Sequence, residues 1–279
     1  MILVLGGCAT TTPNLRNGSQ TLRDETLSEQ HLIYHIQCQL ASAVHQAVAF
    51  DKLNAHKPPE LRAKWLSEWG AKISLVLSVN NKNAFAPGLT LNHPLANAVT
   101  VFGSGDVTTA QNRSVGLGFT WSADATRTET IGFFYSFKEL LESPIKPELC
   151  EPSIGPYLSS DLKIAEFLLK GVDISMQNGA VTRKAGESPY ETFTYQVKFI
   201  VTTGGNITPA WKLVELTANQ SGNLFAASRI HTDDLTITMG KVKEDVAGKA
   251  TPLKSLDDQH LANLIGQAVA NSLQGRPSQ

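Results

Sequence analysis

Long apolar runs are missing from this sequence of 279 residues, and aromatic side chains make up only 7% of it. No stretch reaches the roughly 18 consecutive apolar residues that a membrane-spanning helix needs, so the sequence predicts no helical membrane span. Basic and acidic residues nearly cancel to a net charge of -1, which gives no basic surface of the kind that binds nucleic acid. A content of 42% hydrophobic and 18% charged residues is typical of one or two globular domains.

Motifs that mark common catalytic sites are missing as well. There is no Gly-x-Ser-x-Gly elbow, no Walker loop, no His-Glu-x-x-His pair and no Cys-x-x-Cys pair. The sequence therefore predicts no cofactor, and it favours a non-enzymatic role without deciding the question. A secreted hydrolase whose site is assembled from distant residues stays an alternative.

The densest polar cluster is His231-Thr232-Asp233-Asp234. An imidazole and two carboxylates from His231, Asp233 and Asp234 can form a metal or acid/base site. The same cluster falls at a predicted hairpin turn, where Asp side chains accept hydrogen bonds from backbone amides. We expect the turn.

Alternating apolar and polar residues indicate β-strands in two stretches. The later stretch, Glu191–Gly240, predicts four strands separated at Thr203–Asn206, Asn219–Asn223 and Thr232–Asp234. The earlier stretch, Ala71–Phe137, alternates in the same way and has turn signals at Asn80–Asn83 and Ser122–Ala125. Aligning Lys72–Pro87 with Lys198–Pro209 suggests an old duplication. The predicted class is α+β, with two related antiparallel β-meanders and flanking amphipathic helices.

Several strands, such as Ser114–Ser122, carry large apolar groups on one side and Ser, Thr or Gly on the other. That is the pattern of a transmembrane β-barrel strand. A sheet with one face buried against helices explains the same alternation without a membrane.

The first predicted helix begins at Thr26, with Glu29 as its capping-box partner. Its apolar face faces the core and consists of Ile33, Ile36, Leu40, Ala43, Val44 and Ala47. The opposite face holds His31, His35 and Cys38 at a spacing that can ligate a transition metal, although a solvated polar face explains them equally. Cys38 and Cys150 can alternatively form a disulfide in an oxidising compartment.

Two further helices follow from apolar spacing. Leu61, Trp65 and Trp69 recur after Pro58-Pro59, and Gly70 reads as their C-terminal cap. Near the C-terminus, Ser255 starts a helix that packs on a sheet or docks a neighbouring subunit, and its apolar stripe is Leu261, Leu264, Ile265, Ala268 and Leu273. Together these signals divide the chain into residues 1–26 (signal and tether), 27–70 (helical segment), 71–142 (first meander), 143–187 (Pro-rich connection and helix), 188–240 (second meander), and 241–279 (linker and helix).

The N-terminal residues Leu5-Gly6-Gly7-Cys8 resemble the lipobox of bacterial lipoproteins, and Ala9–Asn14 resembles the polar tether that follows one. The resemblance implies a lipid on Cys8 and an anchor in the outer membrane, facing the periplasm. The apolar segment before Gly6 is shorter than a signal peptide requires. We therefore expect a membrane-tethered envelope lipoprotein with a binding, assembly or structural role and an envelope protein or a second copy as partner. The alternative is an outer-membrane pore-forming protein that contributes β-hairpins to a barrel.

Overall fold

The computed structural model describes residues 12–15, 22–102, 105–143, 161–177, 184–207, 211–212, 216–218, 224–244 and 249–274. Its helices are α1 (Leu22–Leu53), α2 (Phe137–Glu142), α3 (Ile164–Ser175) and α4 (Lys254–Gln274), and short 3-10 helices lie at Pro59–Leu61 and Lys64–Glu68. Its strands are β1 (Trp69–Phe85), β2 (Gly88–Phe102), β3 (Gly105–Gly118), β4 (Trp121–Ser136), β5 (Thr192–Ile207), β6 (Trp211–Lys212), β7 (Leu216–Ala218), β8 (Phe225–Glu244) and β9 (Ala250–Pro252). The predicted α+β class is confirmed.

The strands form two sheets. The main sheet has the order β4-β1-β8-β5, with β9 added beside β8, and the small sheet has the order β3-β2-β7-β6. Only Ala86 and Pro87 separate β1 from β2, and only Phe119 and Thr120 separate β3 from β4. Residues 69–136 therefore form one long hairpin, with β1 and β4 in the main sheet and β2 and β3 in the small sheet.

Two compact units divide the chain. The hairpin unit comprises residues 1–15, 78–127 and 200–231, and the core unit comprises residues 16–77, 128–199 and 232–279. The core unit contains all four helices, and the hairpin unit contains the small sheet. No helix in the described part of the chain is long and apolar enough to cross a membrane.

One face of the main sheet supplies the centre of the core unit. Fully buried side chains from β1 and β8 alternate with smaller polar ones, and the buried set is Ile73, Leu75, Leu77, Leu235, Ile237 and Met239. From the predicted apolar face of α1, Ile36, Leu40, Ala43, Val44 and Ala47 are completely buried, as expected. Trp65 and Trp69 are buried with ring centroids 4.7 Å apart, so both side chains belong to the core.

Three polar runs predicted as turns are parts of strands. β1 continues through Asn80–Asn83, β4 contains Ser122–Ala125, and β8 runs unbroken through Thr232–Asp234. These predictions are wrong because the polar side chains have partners on neighbouring strands. Asn80 Nδ2, for example, donates to Thr126 Oγ1 at 2.7 Å. Such cross-strand pairs stabilise a long polar strand as a turn residue would stabilise a turn.

Two glycines, one predicted in a turn and one predicted as a helix cap, lie within strands where neighbouring atoms leave little room for a side chain. Gly204 lies inside β5, where a Cβ would come within 3.2 Å of the Ala227 carbonyl oxygen. Gly70 lies in β1, where a Cβ would come within 2.9 Å of the Phe134 ring. Glycine in a strand often marks such a close approach.

Helix boundaries also differ from the prediction. α1 begins at Leu22 rather than Thr26, because no helix breaker lies between Leu22 and Thr26 and the acidic Asp24 and Glu25 suit a first turn. The segment after Pro58 forms two 3-10 helices and enters β1 instead of forming one α-helix. The helix within residues 143–187 was predicted to run to Lys170 and stop at Gly171, but α3 continues through Gly171 to Ser175, and the Gly171 carbonyl accepts a hydrogen bond from the Tyr190 hydroxyl at 3.0 Å.

A mostly buried ion pair closes the end of α1. Arg62 Nη2 lies 2.6 Å from Asp51 Oδ2, Arg62 Nε donates to Oδ1 at 2.9 Å, and the backbone N–H of Ala63 also donates to Oδ1 at 2.7 Å. Burial alone would raise the pKa of Asp51, but the hydrogen bonds from Arg62 and Ala63 outweigh it and lower that pKa.

Arg62→Ala is expected to destabilise the fold, because it removes the cation that pairs with the Asp51 carboxylate. Thermal or denaturant unfolding measures the loss. Lys163→Ala is the matched control, since its pair with Asp161 is more than half exposed and should contribute little. Equal losses in the two variants would contradict this account.

Candidate functional site

The exposed hairpin, residues 88–118, consists of β2 and β3. Its antiparallel register places Leu89 opposite Leu117 and Leu91 opposite Val115. Directly opposed residues of paired strands point to the same face of the sheet. These four side chains therefore form one apolar face.

This apolar face is exposed among the described residues. The exposed fractions are 39% for Leu89, 47% for Leu91, 48% for Val115 and 62% for Leu117. Leu95 is 45% exposed on the same side of β2, but His93 lies between it and Leu91, so Leu95 is outside the continuous apolar face. A contiguous group of large exposed apolar side chains marks a site of contact with protein or membrane.

The other face of the exposed hairpin is small and polar. Thr90 lies opposite Gly116, and Asn92 lies opposite Ser114. The hairpin therefore separates large apolar side chains from small polar ones across a single layer of backbone. A soluble sheet would normally turn its apolar face towards a core.

Two kinds of residue bound the apolar face along the strand direction. At one end, Phe119 and Trp121 are 61% and 40% exposed. At the other end, His93 lies opposite Arg113. A register shift between Leu95 and Ala98 ends the regular alternation of β2. The sequence is thus aromatic at one end of the band and basic at the other.

An N-terminal strap, residues 12–15, is held within the hairpin unit. Arg127 Nη1 donates to the Pro13 carbonyl at 3.5 Å, and Arg229 Nη2 donates to the Asn14 carbonyl. Leu15 is only 4% exposed. This segment was predicted as a featureless tether, so its docking is a correction. Pro13 comes five positions after Cys8, so the two residues can lie at most about 18 Å apart.

The predicted cluster of His231, Asp233 and Asp234 lies on β8, where His231 and Asp233 share one face and Asp234 lies on the other. His231 Nε2 accepts a hydrogen bond from Arg229 Nε at 2.7 Å, so this imidazole orients the arginine that holds the strap. Asp234 accepts from Gln196 Nε2 at 3.0 Å on the neighbouring strand. Successive residues of β8 point to opposite faces, so Asp233 and Asp234 cannot act on the same side.

The predicted metal ligands on α1 do not form a metal site in the described part of the chain, where no group of three potential ligands occurs. Cys38 is in a disulfide, so its sulfur is not a free thiolate. His31 is exposed, whereas His35 is 3% exposed and lies 3.3 Å from Gln39 Nε2. The expectation of a solvated face is wrong for His35 and Cys38. Cys150, the predicted disulfide partner, and Cys8, the predicted lipid site, lie outside the described residues.

A layer of threonine hydroxyls lies between α4 and the main sheet. His260 Nδ1 is 2.9 Å from Thr238 Oγ1, Asn263 Nδ2 donates to Thr194 Oγ1 at 2.7 Å, and Gln267 Nε2 donates to Thr236 Oγ1 at 2.5 Å. Burial lowers the pKa of His260, and the positive charge of Lys72 lowers it further. The neutral imidazole is therefore the form that the folded protein favours.

This pKa shift predicts that acid weakens the fold. Below about pH 6.5 the unfolded chain protonates His260 while the folded chain keeps it neutral, so the free energy of unfolding falls until the lower folded pKa is reached. Denaturant midpoints at pH 7.5 and pH 5.5 measure the loss, and His260→Gln should remove part of the difference. An unchanged pH dependence in His260→Gln would show that this imidazole is not responsible.

Sequence comparison finds no matching protein family and no matching curated protein. Solved structures give weak similarities. One is the secretin InvG of the Salmonella SPI-1 type III secretion injectisome in the open gate state, with 10% identity, a TM-score of 0.14, and coverage of 71% of this chain and 66% of that chain. Another is the Klebsiella pneumoniae type II secretion system outer membrane complex of PulD, PulS and the PulC HR domain, with 6% identity, a TM-score of 0.13, and coverage of 76% of this chain and 45% of that chain. Scores this low do not establish a shared fold, so the similarity says nothing about what this chain does.

Proposed function

We propose that this chain is a lipid-anchored assembly component of the bacterial envelope whose exposed hairpin inserts into a lipid bilayer. The observation that carries the proposal is the two-faced hairpin, with Leu89, Leu91, Val115 and Leu117 exposed on one side and small or polar residues on the other. A bilayer is the environment in which an outward apolar face and a polar inner face are both favourable.

The strands of the hairpin are long enough to enter this environment. β2 has 15 residues and β3 has 14, whereas a tilted transmembrane strand needs roughly 9–11, and the apolar band between its aromatic and basic ends occupies part of that length. Aromatic Phe119 and Trp121 at the end of the apolar band have the place of the aromatic girdles that mark membrane interfaces. All these residues belong to the hairpin unit.

The N-terminal strap supports a lipid anchor at the same unit. Because Arg127 and Arg229 hold Pro13 and Asn14, a lipid on Cys8 would stay within about 18 Å of the docked strap. The anchor and the apolar face would then meet the same membrane. The disulfide at Cys38 is in keeping with an oxidising compartment such as the periplasm.

Intact-mass spectrometry of protein extracted from bacterial membranes tests the anchor. We expect a mature chain that begins at Cys8 and carries the added mass of acyl chains, and we expect Cys8→Ala to lack both. Thr10→Ala, which leaves Cys8 in place, is the matched control. An unmodified chain beginning at Met1 would refute the anchor without bearing on the hairpin.

Protease protection tests the insertion of the hairpin. In proteoliposomes, peptides covering residues 88–118 should resist a broad-specificity protease, whereas the exposed end of α1 at Leu53 should be accessible on at least one side of the membrane. Cleavage of residues 88–118 as fast as cleavage near Leu53 would refute insertion. In that case the apolar face would be a docking surface for protein.

A further inference from the structure

We infer that copies of this chain join edge to edge into a closed ring of strands, with β5 of one copy paired to β4 of the next. The inference names the partner of the membrane hairpin and in that respect rests on the proposed function. The strand order of the two sheets carries it independently.

The same strand order occurs twice within the chain. The first long hairpin contributes β4-β1 to the main sheet and β3-β2 to the small sheet, and the second contributes β8-β5 and β7-β6. Moving from the first hairpin to the second replaces β4 by β8, β1 by β5, β3 by β7 and β2 by β6. The second hairpin therefore repeats the first one, displaced by two strands along the sheet. The sequence alignment of Lys72–Pro87 with Lys198–Pro209 suggests the same correspondence of β1 with β5.

This repeat predicts which strands of another copy can pair with the edge strands of each sheet. Inside the chain, β1 of the first hairpin pairs with β8 of the second, and β2 pairs with β7. Because β5 is the counterpart of β1 and β4 is the counterpart of β8, repeating the β1–β8 pairing between copies places β5 of one copy beside β4 of the next. In the small sheet it places β6 beside β3. Head-to-tail contacts of this kind form rings when they close, and the natural twist of a sheet turns each added pair of strands further round.

The edge strands are open to such pairing. Among the described residues, β4 and β5 each have one neighbour in the main sheet. Both have 16 residues and neither contains proline, although long edge strands of monomeric proteins usually carry features that block pairing. Ile200 and Ile207 on β5 are 60% and 62% exposed.

Helix α4 gives a second, separate observation. Its polar residues His260, Asn263 and Gln267 face the sheet, while Leu261, Ile265 and Val269 are 57%, 55% and 53% exposed. These three apolar residues are four positions apart and form one stripe. A helix on a globular surface normally packs its apolar stripe inwards. The reversed orientation predicts that another chain covers the stripe.

The first residue of the stripe, Leu261, lines a cavity between α4 and β4. The cavity has a volume of about 550 Å³ and is lined by Phe133 and Phe134 of β4 and by Leu261 and Leu264 of α4. Because β4 is the edge that the preceding copy joins, that copy is placed to cover the stripe and fill the cavity. A second copy thus accounts for the open edges and for α4 together.

Site-specific photo-cross-linking of the full chain in detergent tests the ring. We expect a photo-reactive amino acid at Ile200 to give a ladder of covalent multimers that ends at a fixed number, with cross-links to Trp121–Ser136 of another copy. A probe at Ile265 should give the same ladder. Leu53, which is 81% exposed at the end of α1, is the matched control and should give none.

Cross-links from Ile200 to β5 of another copy would overturn the inference, because they would show a two-fold interface in place of a head-to-tail one. A chain that stays monomeric by light scattering, without cross-links from Ile200, would also overturn it. Because the cross-linking is done in detergent, it tests ring formation without testing insertion into a bilayer. A ring that forms while residues 88–118 remain open to protease in liposomes would refute the proposed insertion alone.

A variant of α4 makes the test independent of cross-linking chemistry. Ile265→Asp alters an exposed residue and should leave the helical circular dichroism unchanged. We expect it to lower the yield of multimers from Ile200 by about tenfold or more, the effect of losing roughly 1.4 kcal/mol at an interface. A full yield in Ile265→Asp would overturn the assignment of the stripe to the copy interface.

Discussion

Val115→Arg is expected to reduce the fraction of protein that inserts into liposomes by about tenfold. An arginine on the lipid face of a transmembrane strand costs about 2–4 kcal/mol at the bilayer midplane and about 0–1 kcal/mol near the interfaces, and Val115 lies one row from the basic end of the apolar band, so we expect about 1.4 kcal/mol, which is a factor of ten. Val115 is 48% exposed on the apolar face of the hairpin, so the substitution removes no buried contact from the folded body. Flotation with liposomes, followed by quantification of the bound fraction, measures the change.

Ser114→Arg is the matched control for this prediction. Ser114 is the preceding residue of β3 and is also exposed, but it lies opposite Asn92 on the polar face. The same charge is then added one residue away, where water rather than lipid is expected. We predict less than about a threefold change in insertion, because lumen-facing substitutions do not carry the cost of a charge in lipid. Equal losses in the two variants would show that the two faces are not in different environments.

Trp69→Ala is expected to lower the free energy of unfolding by about 3–5 kcal/mol, which is much of the stability of an ordinary domain. Trp69 is fully buried, and its ring lies 4.7 Å from Trp65 and 5.2 Å from Phe193. Removing it leaves a cavity at the start of β1 and breaks both aromatic contacts. Denaturant unfolding measures the effect.

Trp121→Ala is the control for Trp69→Ala, because it also removes a tryptophan side chain but from an exposed position. Trp121 is 40% exposed in the hairpin unit, so its removal should cost under about 1 kcal/mol in unfolding experiments. Its effect should appear instead as weaker membrane binding, since interfacial tryptophans anchor transmembrane strands. If Trp121→Ala unfolded the protein as Trp69→Ala does, the exposed hairpin would be part of the core after all.

Local periodicity was sufficient to predict the elements that bury one face. The buried side of α1 and the alternation of Leu235, Ile237 and Met239 with Thr236 and Thr238 follow from sequence spacing alone. The capping box of α2, in which Ser136 and Glu139 bond each other's backbone, was also visible as Ser-x-x-Glu but was missed. Signals of this kind lie within a few residues of one another.

Strand length could not be predicted, because the partners that decide it are distant in the chain. Asn80–Asn83 reads as a turn until Thr126 is known to lie beside Asn80, and Asp234 reads as a turn residue until Gln196 is known to bond it. The reversed orientation of α4 depends on the threonines of β5 and β8 for the same reason. From the sequence we expected the apolar stripe of α4 to pack on a sheet or to dock a neighbouring subunit. In the structure the polar side of α4 faces the sheet.

The two-faced pattern of β3 was visible in the sequence, but its meaning was not. Ser114–Ser122 fits a strand packed on helices as well as it fits a strand in lipid. The structure leaves both faces of β3 exposed, and with Val115 and Leu117 at 48% and 62% exposure no described helix packs on the apolar face. The docked strap had no sequence signal, since Pro13–Leu15 resembles the polar segment around it.

A residue-by-residue scan of Gln111–Phe119 with an environment-sensitive fluorescent amino acid, in protein reconstituted into liposomes, tests the central claim most directly. A quencher attached to the lipid tails should act on probes at positions 115, 117 and 119 and spare those at 114, 116 and 118, while a water-soluble quencher should show the opposite preference. Strict alternation would establish a strand with one face in lipid. Uniform access to the water-soluble quencher at all positions would show that the hairpin lies outside the bilayer and would contradict the proposed function.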